Sequence, residues 1–133
     1  MTPRKVVVIV DDEPGVCELL QDVFEDHGYG VRVATDGEQA LRLLSQLSSP
    51  PCVVILDLIM PVIDGVAVYR AMQADPVLSK VAIVITTSDP SRAPHGALIM
   101  KKPVNLALLI DTVSKCCDQP IVSRRASTSE PAG

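Results

Sequence analysis

The chain has 133 residues, a formal net charge of −4, 47% hydrophobic and only 2% aromatic residues, and no tryptophan. A chain of this length buries roughly two-thirds of its unfolded surface, so one compact domain with a core of Val, Leu, Ile and Ala is expected. The acidic balance, without a basic stripe interleaved with aromatics, argues against a nucleic-acid surface. Taken in chain order, residues 6–10 form an apolar run that ends at Asp11, too short for a signal peptide or a membrane span. A cytoplasmic protein without a membrane partner is the expectation.

Further apolar runs without polar alternation follow at residues 31–34, 53–56, 81–85 and 97–100. Such runs suit parallel strands covered on both faces. Between them Val16, Leu19, Leu20, Val23 and Phe24 fall at helical spacing, with Gly28 placed to end that helix. Ala40, Leu43, Leu44 and Leu47 repeat the spacing after the Asp36-Gly37 turn. A less regular helix is expected from Asp64-Gly65 to Asp75-Pro76, and a last one from the cap Asn105 to about Cys117. Residues 1–117 therefore read as one α/β domain. Residues 118–133, rich in Ser, Pro, Ala and Arg, read as a disordered tail in which Arg124-Arg125-Ala126-Ser127 is simply solvated.

Cys17, Cys52, Cys116 and Cys117 show no CxxC spacing and have no histidine at ligand spacing. A zinc site is set aside, and all four are expected as reduced, packing thiols.

In an open parallel sheet, ligands bind beyond the carboxyl ends of the strands. Those positions hold Asp11, Asp12 and Glu13 after the first strand, Asp57 after the third, Thr86 and Thr87 after the fourth, and Lys102 after the fifth. Two carboxylates about 4 Å apart repel by roughly 4 kcal/mol at a near-surface dielectric, so such a cluster needs a cation. Hard oxygen ligands suit Mg²⁺. Asp12 and Asp57, with Asp11 nearby, could hold it and leave one Asp57 oxygen free as a nucleophile toward phosphorus. Lys102 and the Thr86 hydroxyl could then stabilise the phosphoryl oxygens.

The stretches "VIVDDEP", "VVILDLIMPVIDG", "VAIVITTS" and "KKPV" together resemble the receiver domain of two-component response regulators over roughly residues 5–117. The order fits, with 46 residues from Asp11 to Asp57 and 29 from Asp57 to Thr86. The resemblance implies a flavodoxin-like, doubly wound five-stranded parallel sheet of order 2-1-3-4-5. Asp57 would be the phosphorylation site, and Mg²⁺ would be held by Asp11, Asp12, Asp57 and the backbone carbonyl of Ile59. Phosphate would be held by Thr86, Thr87 and Lys102, and Pro103 would follow a cis peptide bond. The phosphoryl donor would be a histidine kinase or a histidine phosphotransferase. The chain would be a phosphoacceptor that catalyses only its own phosphorylation and dephosphorylation, not a turnover enzyme.

Two departures stand out. Only ten residues, 87–96, separate Thr86 from Ala97, and they include Pro90 and Pro94. A parallel crossover takes a dozen or more residues, so the helix usual there is expected to be short or missing. Ile99 stands three positions before Lys102, where the family resemblance leads one to expect an aromatic switch residue. With 16 residues after Cys117 and no output domain in them, a standalone receiver is expected, recognised through the first helix with exposed Glu18, Gln21 and Asp22. Two alternatives are a degenerate receiver that binds without phosphorylation and a haloacid dehalogenase-like phosphohydrolase. The latter needs an acid two residues past its nucleophile, where this chain has Ile59.

Overall fold

A computed structural model describes residues 4–118; Asp118, expected as the first residue of the tail, is instead the last of a helix, and residues 119–133 of the expected tail lie outside the described residues. Strands β1 (Val6–Val10), β2 (Gly30–Ala34), β3 (Val53–Asp57), β4 (Ala82–Thr87) and β5 (Leu98–Lys101) form one parallel sheet. Their order is β2-β1-β3-β4-β5, the flavodoxin-like topology expected. Helices α1 (Pro14–Asp26), α2 (Gly37–Gln46), α3 (Gly65–Ala74) and α4 (Leu106–Asp118) connect or follow the strands.

Alternation along each strand sends side chains to two separate apolar layers. Val8, Val10, Val54, Leu56, Ile83 and Ile85 meet Ala40 and Leu44 of α2 and Val68 and Met72 of α3. Val7, Ile9, Val53, Ile55 and Val84 meet Leu20 and Phe24 of α1 and Leu109 and Val113 of α4 on the other side. Both faces are covered, which is why the strands read as continuous apolar runs rather than alternating ones.

The caps form where short polar side chains precede apolar periodicity. Asp36 accepts from the Gln39 N–H at 2.8 Å, Asp64 from Ala67 at 3.1 Å and Asn105 from Leu108 at 3.0 Å. Gly28, at φ +92°, follows α1 in the left-handed region that glycine tolerates. At Gly65 a Cβ would come within 2.3 Å of the Asp57 carbonyl, so only glycine lets α3 start directly against the exit of β3.

β3 and β4 run further than the apolar runs alone suggest, because Asp57 pairs with Thr86 and Thr87 with Lys101 in the ladder. Between β4 and β5 stands only a single 3₁₀ turn, Pro90–Arg92, capped by Asp89, so the helix usual there is reduced as the ten-residue spacing led one to expect. A second short turn, Leu78–Lys80, precedes β4 and had no sequence signal of its own.

One expectation is corrected. Cys52 and Cys117 are joined in a disulfide and are not reduced thiols. The sheet brings the residue before β3 beside the last turn of α4 at a Cα–Cα distance of 5.0 Å, inside the range a disulfide spans. The two lie 65 residues apart, so no local spacing announces the pair.

Candidate functional site

The carboxyl edge of the sheet gathers the residues that end or follow β1, β3 and β5. Asp11 and Asp57 are 3% and 4% exposed, which for carboxylates demands a partner. One carboxylate oxygen from each of Asp11, Asp12 and Asp57 lies within 4.8 Å of the others. Into this cluster comes Lys102, whose Nζ is 3.1 Å from Asp11 Oδ2, 3.5 Å from Asp57 Oδ1 and 3.6 Å from Glu13 Oε1. Backbone N–H groups support the acids: Glu13 donates to Asp11 Oδ1 at 2.9 Å and Ile59 to Asp57 Oδ1 at 3.4 Å.

The electrostatics follow from that crowding. Burial, and then the neighbouring charge of Asp11, push the Asp57 carboxyl up to about 6, against the pull of Lys102. Burial works to lower the Lys102 ammonium, but the hydrogen bond to Asp11 and the charges of Asp11, Asp57 and Glu13 outweigh it and hold it above its ordinary value. The Cys17 thiol, which donates to the Asp11 carbonyl at 3.2 Å, is raised by burial and by Asp11. From sequence Cys17 reads only as a packing thiol, and its place in the buried layer with Leu20 and Phe24 agrees, but nothing there announces its contact with Asp11.

Thr86 lies beside Asp57 in the β3–β4 register and borders a cavity of about 440 Å³ with Asp11, Glu13 and Lys102. Apolar walls from Val16 and Leu20 of α1 and from Leu106 and Leu109 of α4 enclose its other side. Thr87 is one step along the strand, and successive side chains point to opposite faces. Its hydroxyl oxygen accepts from the Asp89 N–H at 3.0 Å. Of the two threonines named from sequence, Thr86 is the one lining this cavity. The Lys102–Pro103 bond is cis, as the resemblance implied. Two features beside Asp57 had no sequence signal: Val62, a non-glycine residue at φ 69° that is 79% exposed, and the 41% exposure of Ile59.

The acid trio fits a small hard cation. Three carboxylate oxygens within 4.8 Å of one another are the hard donors that would hold Mg²⁺, and water would complete its shell. Lys102 meets the same charge in its own way, as a second cation at the rim.

The family model of the response regulator receiver domain matches residues 7–114. The chain belongs to this family. It is 38% identical over 87 residues to the DNA-binding response regulator MtrA of Mycolicibacterium smegmatis, covering 65% of this chain and 36% of that protein. It is 32% identical over 86 residues to the alkaline phosphatase synthesis transcriptional regulatory protein PhoP of Bacillus subtilis, covering 65% and 35%. The chain thus spans about a third of the length of the curated relatives it matches, and DNA binding is a property named for one of those longer proteins. Among solved structures, a putative response regulator from Chloroflexus aurantiacus superposes with a TM-score of 0.78 at 28% identity, covering 88% of this chain and 100% of that one. TrrA from Thermotoga maritima, in complex with Mg²⁺-BeF, superposes with a TM-score of 0.72 at 29% identity, covering 84% and 98%. Receiver domains are phosphoacceptor modules of two-component signal transduction, phosphorylated by histidine kinases. With this membership, the haloacid dehalogenase-like alternative falls away. Among the described residues, no helix is long and apolar enough to cross a membrane.

Proposed function

We infer that this chain is a response-regulator receiver that accepts a phosphoryl group on Asp57 from a histidine kinase or histidine phosphotransferase. Asp11, Asp12 and Asp57, with the Ile59 carbonyl, would hold Mg²⁺, which neutralises the cluster and frees one Asp57 oxygen to attack phosphorus. Lys102 and the Thr86 hydroxyl then meet the phosphoryl oxygens as charge develops on them, with Thr87 beside them at the end of β4. The protein catalyses only its own phosphorylation and dephosphorylation, acts in the cytoplasm, and signals by passing the group on or by binding a partner protein through α1 and the loop after β4. Nucleic acid and membrane play no part in this reading.

The observation that carries it is the meeting of a buried carboxylate, two neighbouring acids and an ammonium within 3.5 Å of that carboxylate. Intact-mass measurement after incubation with acetyl phosphate and Mg²⁺ tests it: a single phosphoryl adduct is expected, lost in Asp57→Asn and in chelator. Thr86→Val should slow its formation more than Thr87→Val. No adduct on the native chain under any donor, with partner binding intact, would favour the phosphorylation-independent binding module instead.

A further inference from the structure

The disulfide joins two elements that frame the site, at the end of each lying farthest from it. Cys52 immediately precedes β3, whose other end carries Asp57, and its backbone N–H is fixed to the Val6 carbonyl at 2.9 Å. Cys117 lies in the last turn of α4, whose first turn supplies Leu106 and Leu109 to the cavity beside Lys102. The Lys5 ammonium donates to the Cys117 carbonyl and holds the same turn. Folding does not hang on the covalent bond, because the five strands are paired and side chains such as Phe24, Val53 and Leu109 are fully buried in that layer. The two sulfurs also differ in access: Cys117 is 3% exposed, whereas Cys52 is half-buried.

We propose that Cys52 and Cys117 form a reversible thiol–disulfide site, opened by low-molecular-weight thiols and closed by their disulfides, which sets how firmly α4 is held to the sheet. Opening begins with an external thiolate attacking Cys52 Sγ, the sulfur of the half-buried partner. The S–S bond breaks, and Cys117 leaves as a thiolate that takes up a proton from water. A second external thiolate attacks the outer sulfur of the mixed disulfide and releases Cys52. In sum, two external thiols become one external disulfide while the protein gains two thiols. Closure is the reverse, with an external disulfide as oxidant. A reducing cytoplasm keeps the pair open, and oxidative load closes it. Closed, the bond suppresses fraying of the last turn of α4 and stiffens the helix that walls the cavity.

The full chain is equilibrated with reduced or oxidised glutathione, alkylated in denaturant and weighed, while amide exchange is followed in parallel. In oxidised glutathione two of the four cysteines should escape alkylation, and amides of residues 111–118 should exchange about tenfold more slowly, as expected when a local opening is suppressed. Cys52→Ser, a change at the half-buried position, should erase both responses. Four alkylated cysteines or a retained glutathione adduct after oxidation, equal exchange in the two states, or a response that persists in Cys52→Ser would each overturn the proposal. None of these readouts involves phosphate, so the outcome is independent of the role assigned to Asp57.

Discussion

The two edges of the sheet are built on opposite terms. At the amino edge the chain is tied: a disulfide joins Cys52 to Cys117, and Lys5 reaches the last turn of α4. At the carboxyl edge like charges are crowded together, Asp57 and Asp11 are buried, and Val62 occupies a left-handed conformation that β-branched residues resist. One strand of five residues, roughly 16 Å at about 3.3 Å per residue, separates the two. The role proposed for Asp57 asks for a carboxylate whose charge a single ammonium, 3.5 Å away and shared with Asp11 and Glu13, meets only in part. The fold can carry that cost at one edge because its apolar layers and the opposite edge hold the strands in place.

The comparison breaks most simply through stability changes of opposite sign. Opening the disulfide should destabilise the chain by about 4 kcal/mol, the loop-closure entropy of a 65-residue separation. Urea unfolding of oxidised and reduced protein measures it, and an equal midpoint would mean that the amino edge is not where stability is held. Asp57→Asn should act the other way. Asp57 is pushed up from 3.8 to about 6, so the folded state prefers its protonated form. The stability this confers is complete below pH 3.8 and is lost as pH rises through 6. In chelator the Asn variant should therefore gain on the native chain between those values, by up to about 3 kcal/mol near neutral pH. Lys102 keeps Asp11 and Glu13 as partners in the variant. Thermal melts across pH decide it, since a constant difference between the two proteins would show that charge crowding at Asp57 is not the cause.

Most of this architecture was legible because its causes are local. Asp36, Asp64 and Asn105 cap helices through side chains that reach only three residues along, and the apolar runs declare buried strands by composition alone. The acid cluster was legible for a second reason: parallel topology sends every strand end to one edge, so strand-terminal residues 46 apart become neighbours. What escaped depends on contacts between distant elements or on backbone shape. Cys52 and Cys117 meet only once α4 lies on the sheet. The choice between Thr86 and Thr87 depends on where β4 stops, a matter of ladder pairing with β3 and β5. Nothing in "MPVIDG" marks Val62 as left-handed, because a β-branched residue is the last one expected there.

That residue sharpens the comparison within the reactive edge itself. Strained backbone conformations cost of order 1–3 kcal/mol, and with its side chain 79% exposed, Val62 gains little from packing. Val62→Gly should raise stability by about 1 kcal/mol after glycine's greater unfolded-state freedom is deducted. A chemical unfolding curve shifted the other way would mean that the valine side chain holds the loop through contacts of its own.

The smallest effect concerns the lifetime of the phosphorylated form rather than the stability of the fold. Hydrolysis of an acyl phosphate needs a water aligned opposite the Asp57 oxygen, and a polar side chain at the rim could orient it. Ile59 stands two residues past Asp57, 41% exposed, and offers only a hydrocarbon surface there. Ser88, beyond β4, is too short and too weak a base to substitute. The adduct should therefore be long-lived in the native chain and decay a few-fold faster in Ile59→Asn, a change of under about 1 kcal/mol in barrier. Loss of the labelled phosphoryl group over time, with Mg²⁺ held constant, gives both rates. Faster decay would place water access at the β3–α3 loop. An unchanged rate would move the barrier to the Lys102 side of the site, where the ammonium already meets three carboxylates and can hold the phosphoryl oxygens in their place.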